Sequence, residues 1–307
     1  MAQTILQHTI ASNSEEAIQM AKDSIIMKPL LQMLPFEATN GMSFTSATGT
    51  VPSISVSGIN QGYSSSEGVL EPQDFKVAQY SARSEVDVRL ADIDPLGVGN
   101  SRSVQDDLIH MGILNAFSSD MIYANQNTNT NQFFGLSRYM NTLNGENVVD
   151  GGSTNDGSLT SIYFVKLGIL GVGGIINAQA STVPTVADLG KQLVTAPDNN
   201  GQMTAYVSDF DWKAGIKVNQ GGIGRLANIE TQSNVTLPFL NTVLTYIKNG
   251  ADAIICNRKG KTLLQGLQTS SLETRVLDSE LGVAVETFQG LPIFIEDSIT
   301  NTESQVS

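Results

Sequence analysis

The spacing of apolar residues changes period several times along the chain, and each change predicts a different element. Between Asn13 and Leu34 it is helical, with Ile18, Ala21, Ile25 and Met33 on one flank. Asn13 stands at the N-cap with Glu16 in capping-box register, and Pro29 bends or ends the regular part. A terminal helix of this kind packs on its own core or on a neighbour, and spacing alone does not choose between them.

Beyond Gly41 the period becomes two. Residues Thr48 to Gly58 alternate small polar with β-branched side chains, and the turn formers of Ile59 to Gly68 follow. The pattern predicts a long two-stranded ribbon with a flexible tip. A lone ribbon is marginal in water, and no nearby helix offers it a surface, so the pattern favours packing on another subunit.

Alternation resumes from Asp74 to Leu90 through Val77, Tyr80, Val86 and Val88, until Pro95, Gly97 and Gly99 break it. A long helix is expected next. Ser103 is its N-cap, Asp106 and Asp107 suit the positive end of its dipole, and Ile109, Ile113, Phe117, Met121 and Ala124 form its apolar stripe. The stretch Asn125 to Asn131 ends it as a loop. Later strands are expected over Ser161–Leu170, Gln202–Trp212 and Ala253–Asn257. A helix is expected over Pro238–Lys248, with Gly250 as its stop signal, and Gly290-Leu291-Pro292 turns between strands Val283–Phe288 and Ile293–Glu296. No internal repeat is visible, and the irregular interleaving predicts an α+β fold.

Composition narrows the function classes. The chain has 307 residues, 40% of them hydrophobic and only 15% charged, with a net charge of −13. That is enough apolar material for a core, and neutral polar residues fill much of the surface. An acidic chain with 17 basic residues and no run of them does not grip nucleic acid or an anionic membrane by itself. The first residues lack the features of a signal peptide, and no stretch reaches the apolar length of a spanning helix. The single cysteine, Cys256, sits in an apolar run and is expected to be buried.

The chemistry-bearing motifs are poor. Gly260-Lys261-Thr262 resembles the end of a phosphate-binding loop, but Ile255 occupies the position of the first glycine. Gly171-Val172-Gly173-Gly174 lacks the third glycine of a dinucleotide fingerprint, Ile176 standing in its place, and reads as a glycine-rich turn. His8 and His110 are the only histidines, and no Cys or His pair has ligand spacing. Asp209 and Asp211 share a strand face, which fits a glycosidase-like pair less well than a solvated face. The expectation is therefore no enzyme, no catalytic residue, no cofactor and no metal.

Several strings in order resemble the major capsid proteins of tailed double-stranded DNA bacteriophages. They are Phe133-Phe134-Gly135-Leu136-Ser137-Arg138-Tyr139-Met140-Asn141 just after the long helix, Thr160-Ser161-Ile162-Tyr163-Phe164-Val165-Lys166-Leu167-Gly168, and Asp211-Trp212-Lys213-Ala214-Gly215-Ile216-Lys217-Val218. Arg225-Leu226-Ala227-Asn228-Ile229, Cys256-Asn257-Arg258 and Gly290-Leu291-Pro292-Ile293 complete the series. The resemblance spans nearly the whole chain. The glycine-rich stretch between Gly168 and Leu189 departs from it, and the polar tail after Ile299 gives no guidance.

The resemblance implies the tailed-phage major capsid fold, shared with encapsulins. Residues 1–35 become an N-terminal arm, 36–73 an extended loop, 74–157 a peripheral domain with a spine helix at about 103–125, and 158–282 an axial domain. Residues 283–307 return to the peripheral domain and form the tail. The implied job is a shell of hexamers and pentamers enclosing packaged DNA without sequence-specific binding, in the virion, after assembly in the host cytoplasm. Scaffolding, portal and decoration proteins are implied partners; a membrane is not. Inter-subunit contacts are expected at the loop tip, through Gly58, Ile59, Asn60, Gln61, Gly62, Tyr63, Glu67 and Gly68, and in the arm, through Ile18, Ile25 and Met33. Some relatives cross-link the loop through lysine. No lysine lies between Lys28 and Lys76, so no such bond is expected here, and covalent ladders on a denaturing gel of mature shells would count against this. Two other readings are an encapsulin-like compartment, for which the sequence offers no cargo-docking feature, and a carbohydrate-binding or carbohydrate-active protein.

Overall fold

The computed structural model describes Leu31 and residues 34–50, 52–95, 97–143, 147–168, 171–178, 184–196, 201–248, 250–267, 272–276 and 284–307. Ile18, Ile25 and Met33, with most of the helix expected over 13–34, lie outside the described residues.

The first sheet is organised by one long strand, β9 (Gln202–Val218). Along one edge it pairs with β4 (Ala78–Asp87), from Ala78 opposite Ala214 to Asp87 opposite Ala205. Its other edge is shared by β7 (Val172–Asn177) and β8 (Thr185–Thr195), and the short β1 (Phe36–Thr39) adds to β7 in parallel. The sequence supplies β9 with alternating buried residues, among them Phe210, Trp212, Ala214, Ile216 and Val218. Across β4 and β9 lies α2 (Val98–Tyr123), joined to β4 by the short α1 (Val88–Asp92). Phe117 of α2 packs 4.8 Å from the Trp212 ring and edge-on to Tyr80, whose hydroxyl donates to Asp120 at 2.7 Å.

The second sheet runs in the order β12-β13-β14-β11-β6-β10-β5, formed by Leu272–Val276, Ala284–Phe288, Leu291–Ile295, Ala253–Cys256, Thr160–Val165, Ile223–Ile229 and Val148–Asp150. Its central strands β11, β6 and β10 are buried throughout, as their continuous apolar runs require. On one face α4 (Leu237–Tyr246) and α5 (Arg258–Gln265) cover Ile162, Phe164, Leu226 and Ile254. From the opposite face Tyr163, Val165 and Ile255 enter the main core, together with Ile113, Phe117 and Trp212. Helices and strands therefore form an α+β fold with mixed pairing.

Where the chain leaves α2 it doubles back tightly over the helix end. Gly135 donates to Ala124 O at 2.8 Å, and a Cβ there would stand 2.7 Å from the Asp120 and Ile122 carbonyls. Only glycine fits, and this places Phe133 and Leu136, the first residue of α3 (Leu136–Tyr139), in the core.

Some boundaries differ from the sequence expectation. Helix α2 begins at Val98 and ends at Tyr123, so Ser103 lies inside it and does not cap it. Gly97, at φ 89°, turns the chain into the helix, and the Asp94 carboxylate receives the side chains of Asn100 and Ser101. Only Gly171 of the expected glycine turn lies outside a strand: residues 172–177 are β7, and Gly174 sits under the Phe36 ring. Strand β9 runs on to Val218, while β6 ends at Val165. The polar tail after Ile299 is tied in, with Val306 exchanging hydrogen bonds with the Asn228 side chain at 2.9 Å each and Glu303 N donating to Leu159 O.

Candidate assembly surfaces

The ribbon expected from the period-two stretch is present, set lower than the sequence suggested. Strands β2 (Ser43–Thr50) and β3 (Val69–Lys76) pair antiparallel from Ser43 opposite Lys76 to Thr50 opposite Val69. Residues 52–58, read from sequence as strand, join no ladder among the described residues. The base is anchored: Phe75, Val77 and Ile175 form a small apolar cluster that partly buries Phe44. Val77 N donates to Met42 O at 2.9 Å, and the Lys76 ammonium reaches Thr130 O. Above this base, no core cluster of the described residues includes the ribbon.

Every residue from Ser53 to Asp74 is exposed. Ile54 is 83% exposed, Val56 101%, Ile59 97% and Tyr63 84%. Large apolar side chains this bare are uncommon on a protein that works alone. Ile54 and Val56 are two apart, so in extended chain they share a face. The two arms are joined by Ser66 Oγ donating to Ser53 O at 3.1 Å. At the tip Gln61 N donates to Gly58 O at 3.2 Å, the Gln61 amide oxygen accepts from Gly58 N, and Asn60 takes φ 66°. That positive φ at the third turn position suits asparagine. Gly58, Ile59, Asn60, Gln61, Gly62, Tyr63, Glu67 and Gly68 are all exposed.

A second apolar surface was not read from the sequence. Val104, Leu108 and Met111 of α2 are exposed along the flank of its buried stripe, and Leu90 and Ile93 are exposed on the adjoining α1 and its cap. The buried stripe includes Ile113, Phe117 and Met121 as expected, with His110, Leu114 and Ile122 beside them. Strand β8 also projects, with Leu189 and Leu193 outward, and its free edge is broken by a bulge at Asp188/Gly190. Arg102 holds this hairpin to α2 through Asp188 at 2.6 Å, and that guanidinium keeps the Asp188 carboxyl below its ordinary range.

Residues tested for chemistry have structural partners. Arg83 of β4 grips Asp209 through two nitrogens, at 2.6 and 3.1 Å, and lowers its pKa; Asp211 accepts from Gln79 and Ser81. Both carboxylates are thereby engaged across strands. Gly260-Lys261-Thr262 lies within α5, where Lys261 pairs with Glu286 at 3.1 Å. Cys256 is buried, and burial pushes its thiol up to about 12. Among the described residues no group of three or more His, Cys, Asp or Glu is placed to hold a metal, and no helix is long and apolar enough to cross a membrane.

One buried polar assembly ties the halves together beside an open cleft of about 550 Å³. Arg225 of β10 donates to Ser161 Oγ at 2.9 Å, Met140 O at 2.8 Å and Glu303 at 3.1 Å. Glu303 also accepts from Ser161 and from Tyr123 of α2, each at 2.5 Å.

Comparison with known proteins gives a consistent answer. A model of the family described as Major capsid protein GP7 matches residues 26–307. No curated protein sequence matches the chain. Among solved structures, a chain of the near-atomic cryo-EM structure of bacteriophage Epsilon15 is similar at TM-score 0.58 and 20% identity, covering 88% of this chain and 87% of that one. A chain of the bacteriophage JBD30 capsid is similar at TM-score 0.56 and 11% identity, covering 88% and 90% respectively. These structural likenesses are likenesses of fold.

Proposed function

The chain belongs to the major capsid protein GP7 family, and on that premise we propose how its segments divide the work of building a phage head. The protein is a structural capsid protein whose copies form the shell of the virion. In this reading residues 1–35 are an arm, 36–73 an extended loop, 74–157 a peripheral domain around α2, 158–282 an axial domain near the capsomer axes, and 283–307 the return to the peripheral domain.

The observation that carries the reading is the bare ribbon. An anchored base with an unsupported, apolar tip makes sense when the tip lies on an adjacent copy. Each of Ile54, Val56 and Ile59 would contribute about 1.5–3 kcal/mol on full burial. Repeated around closed symmetry, contacts of that size add up to a stable shell. The arm residues Ile18, Ile25 and Met33 are assigned the same role by their apolar spacing. Assembly takes place in the host cytoplasm, with scaffolding, portal and decoration proteins as partners. The acidic chain encloses DNA without reading its sequence, because a wall of net charge −13 per copy does not hold phosphate tightly.

Electron microscopy of the purified protein tests this. Closed particles of uniform size are expected, and particles recovered from infected cells should protect DNA from nuclease. Dispersed monomers at high concentration would overturn the shell reading, and particles filled with protein cargo would favour a compartment.

A further inference from the structure

We propose that the open cleft beside the buried Arg225–Glu303 pair binds an acidic, extended peptide segment of a separate assembly partner, with Arg138 taking a carboxylate of that segment. The inference rests on the shell reading above and names one surface through which the shell protein meets another protein.

The cleft, of about 550 Å³, lies between two walls that the fold holds in place. One is the end of α2 with α3 and Asn141. Leu136 roots α3 in the core, and Phe134 stands edge-on to Tyr139 at 6.3 Å. The other is the segment from Thr300 to Val306, tied by Thr300 N donating to the Tyr123 hydroxyl at 3.0 Å and by Val306 N donating to Asn228 at 2.9 Å. Walls already in place need little ordering when a ligand arrives, which lowers the cost of binding. The groups that line the cleft are nevertheless uncommitted. The side chains of Ser137, Asn141, Thr302, Ser304 and Gln305 make no hydrogen bond among the described residues. Arg83, Arg89, Arg102, Arg225 and Arg258 each hold a carboxylate, whereas the exposed Arg138 holds none among the described residues. In a chain with 30 acidic and 17 basic residues, an arginine left without a carboxylate inside a cleft is a free donor. Glu303, in the same lining, is already taken by Arg225.

The chemistry of the lining selects the occupant. A guanidinium presents a fork of donors that matches one carboxylate. The Asn141 and Gln305 amides each offer donors and an acceptor, as a peptide bond does, and the hydroxyls of Ser137, Thr302 and Ser304 serve either way. An extended peptide with one acidic side chain satisfies both sets at once. Phosphate brings acceptors and no donors, so it leaves the amide carbonyls unmatched, and its extra charge meets the Glu303 carboxylate in the same lining. Permanent interfaces between identical copies are more apolar than this cleft, and polar surfaces suit partners that come and go. With −13 on every copy, an acidic segment gains no long-range attraction, so its affinity depends on the short-range match at Arg138 and the amides.

Fluorescence anisotropy tests the site on the purified full chain, both as subunits and as assembled shells. The probe is a labelled octapeptide of alternating glutamate and serine, and its control carries glutamine for glutamate. The acidic peptide is expected to bind at low salt, to weaken as sodium chloride is added, and to exceed the control by roughly tenfold. Arg138→Gln removes an exposed side chain without a partner, so the thermal unfolding midpoint should stay at the parent's value while affinity falls by roughly tenfold. Arg138→Lys should keep part of the affinity, since it keeps the charge and loses the fork. Equal binding of the two peptides, or unchanged affinity in Arg138→Gln, would overturn the proposal. So would inorganic phosphate competing as well as the peptide, which would make this a simple anion site. Binding to subunits that vanishes in shells would also overturn it, because another copy would then cover the cleft. Electron microscopy of the same preparations keeps these failures apart from failure of the shell reading, since closed shells would still be present.

Discussion

Glu303 shows how a residue with no sequence signal can hold a fold together. Its carboxylate meets Tyr123 of α2, Ser161 of β6 and Arg225 of β10, and both it and Arg225 have side chains only 5% exposed. Removing one partner of such a pair strands the other charge in the interior at a cost of about 3–5 kcal/mol. Arg225→Met should therefore lower the urea midpoint sharply, and adding Glu303→Met should recover part of the loss; equal or additive losses in the double variant would argue against direct coupling. Asp120 gives a pH-dependent counterpart. Burial raises its pKa above the ordinary 3.8, outweighing the hydrogen bonds from Tyr80 and Gln132 that lower it. A raised carboxylate binds its proton more tightly in the folded state, so this site's stabilising contribution is present at acid pH and falls as pH rises through the folded value. Asp120→Asn cannot ionise. Relative to the parent, its stability should climb as pH rises from about 3.8 through the raised value and then level off, which denaturant titrations at successive pH values would show.

At the scale of elements, the ribbon and α2 were both legible, but their limits were not. Alternation in residues 48–58 announced extended chain, yet alternation is the same whether or not a partner strand is present, so the ladder ending at Thr50 could not be read. Ser103 is a good cap residue by type, but an N-cap must itself leave helical φ/ψ, and Gly97 with its positive φ does so six residues earlier. The exposed stripe Val104, Leu108, Met111 escaped notice because it flanks the buried one, and helical spacing does not mark where along a helix burial stops. Deleting Gly58 to Gly68 should leave a subunit with unchanged circular dichroism, since those residues are wholly exposed and make no core contact, but one that closes no shells. Normal particles from this deletion would remove the ribbon from the assembly mechanism.

For the whole molecule, a net charge of −13 on every copy sets neighbours against one another over about 10 Å at 0.1 M salt. Added salt should speed shell formation until apolar contacts alone limit it, and light-scattering rates that do not respond to sodium chloride would contradict this. Apolar periodicity, turn residues and ordered strings determined the α+β class, the main helices and strands and the family, because each of these is written in local spacing. They also favoured packing of the ribbon on another subunit, because a lone ribbon is marginal in water and no nearby helix offers it a surface. Tertiary structure decided the rest. Which strands share a sheet, how β9 serves β4, β7 and β8 together, why the polar tail is locked through Asn228 and Glu303, and which face of α2 is left bare all depend on residues far apart in sequence. Such pairings are set by mutual packing and by satisfaction of buried polar groups, and neither leaves a periodic trace along the chain.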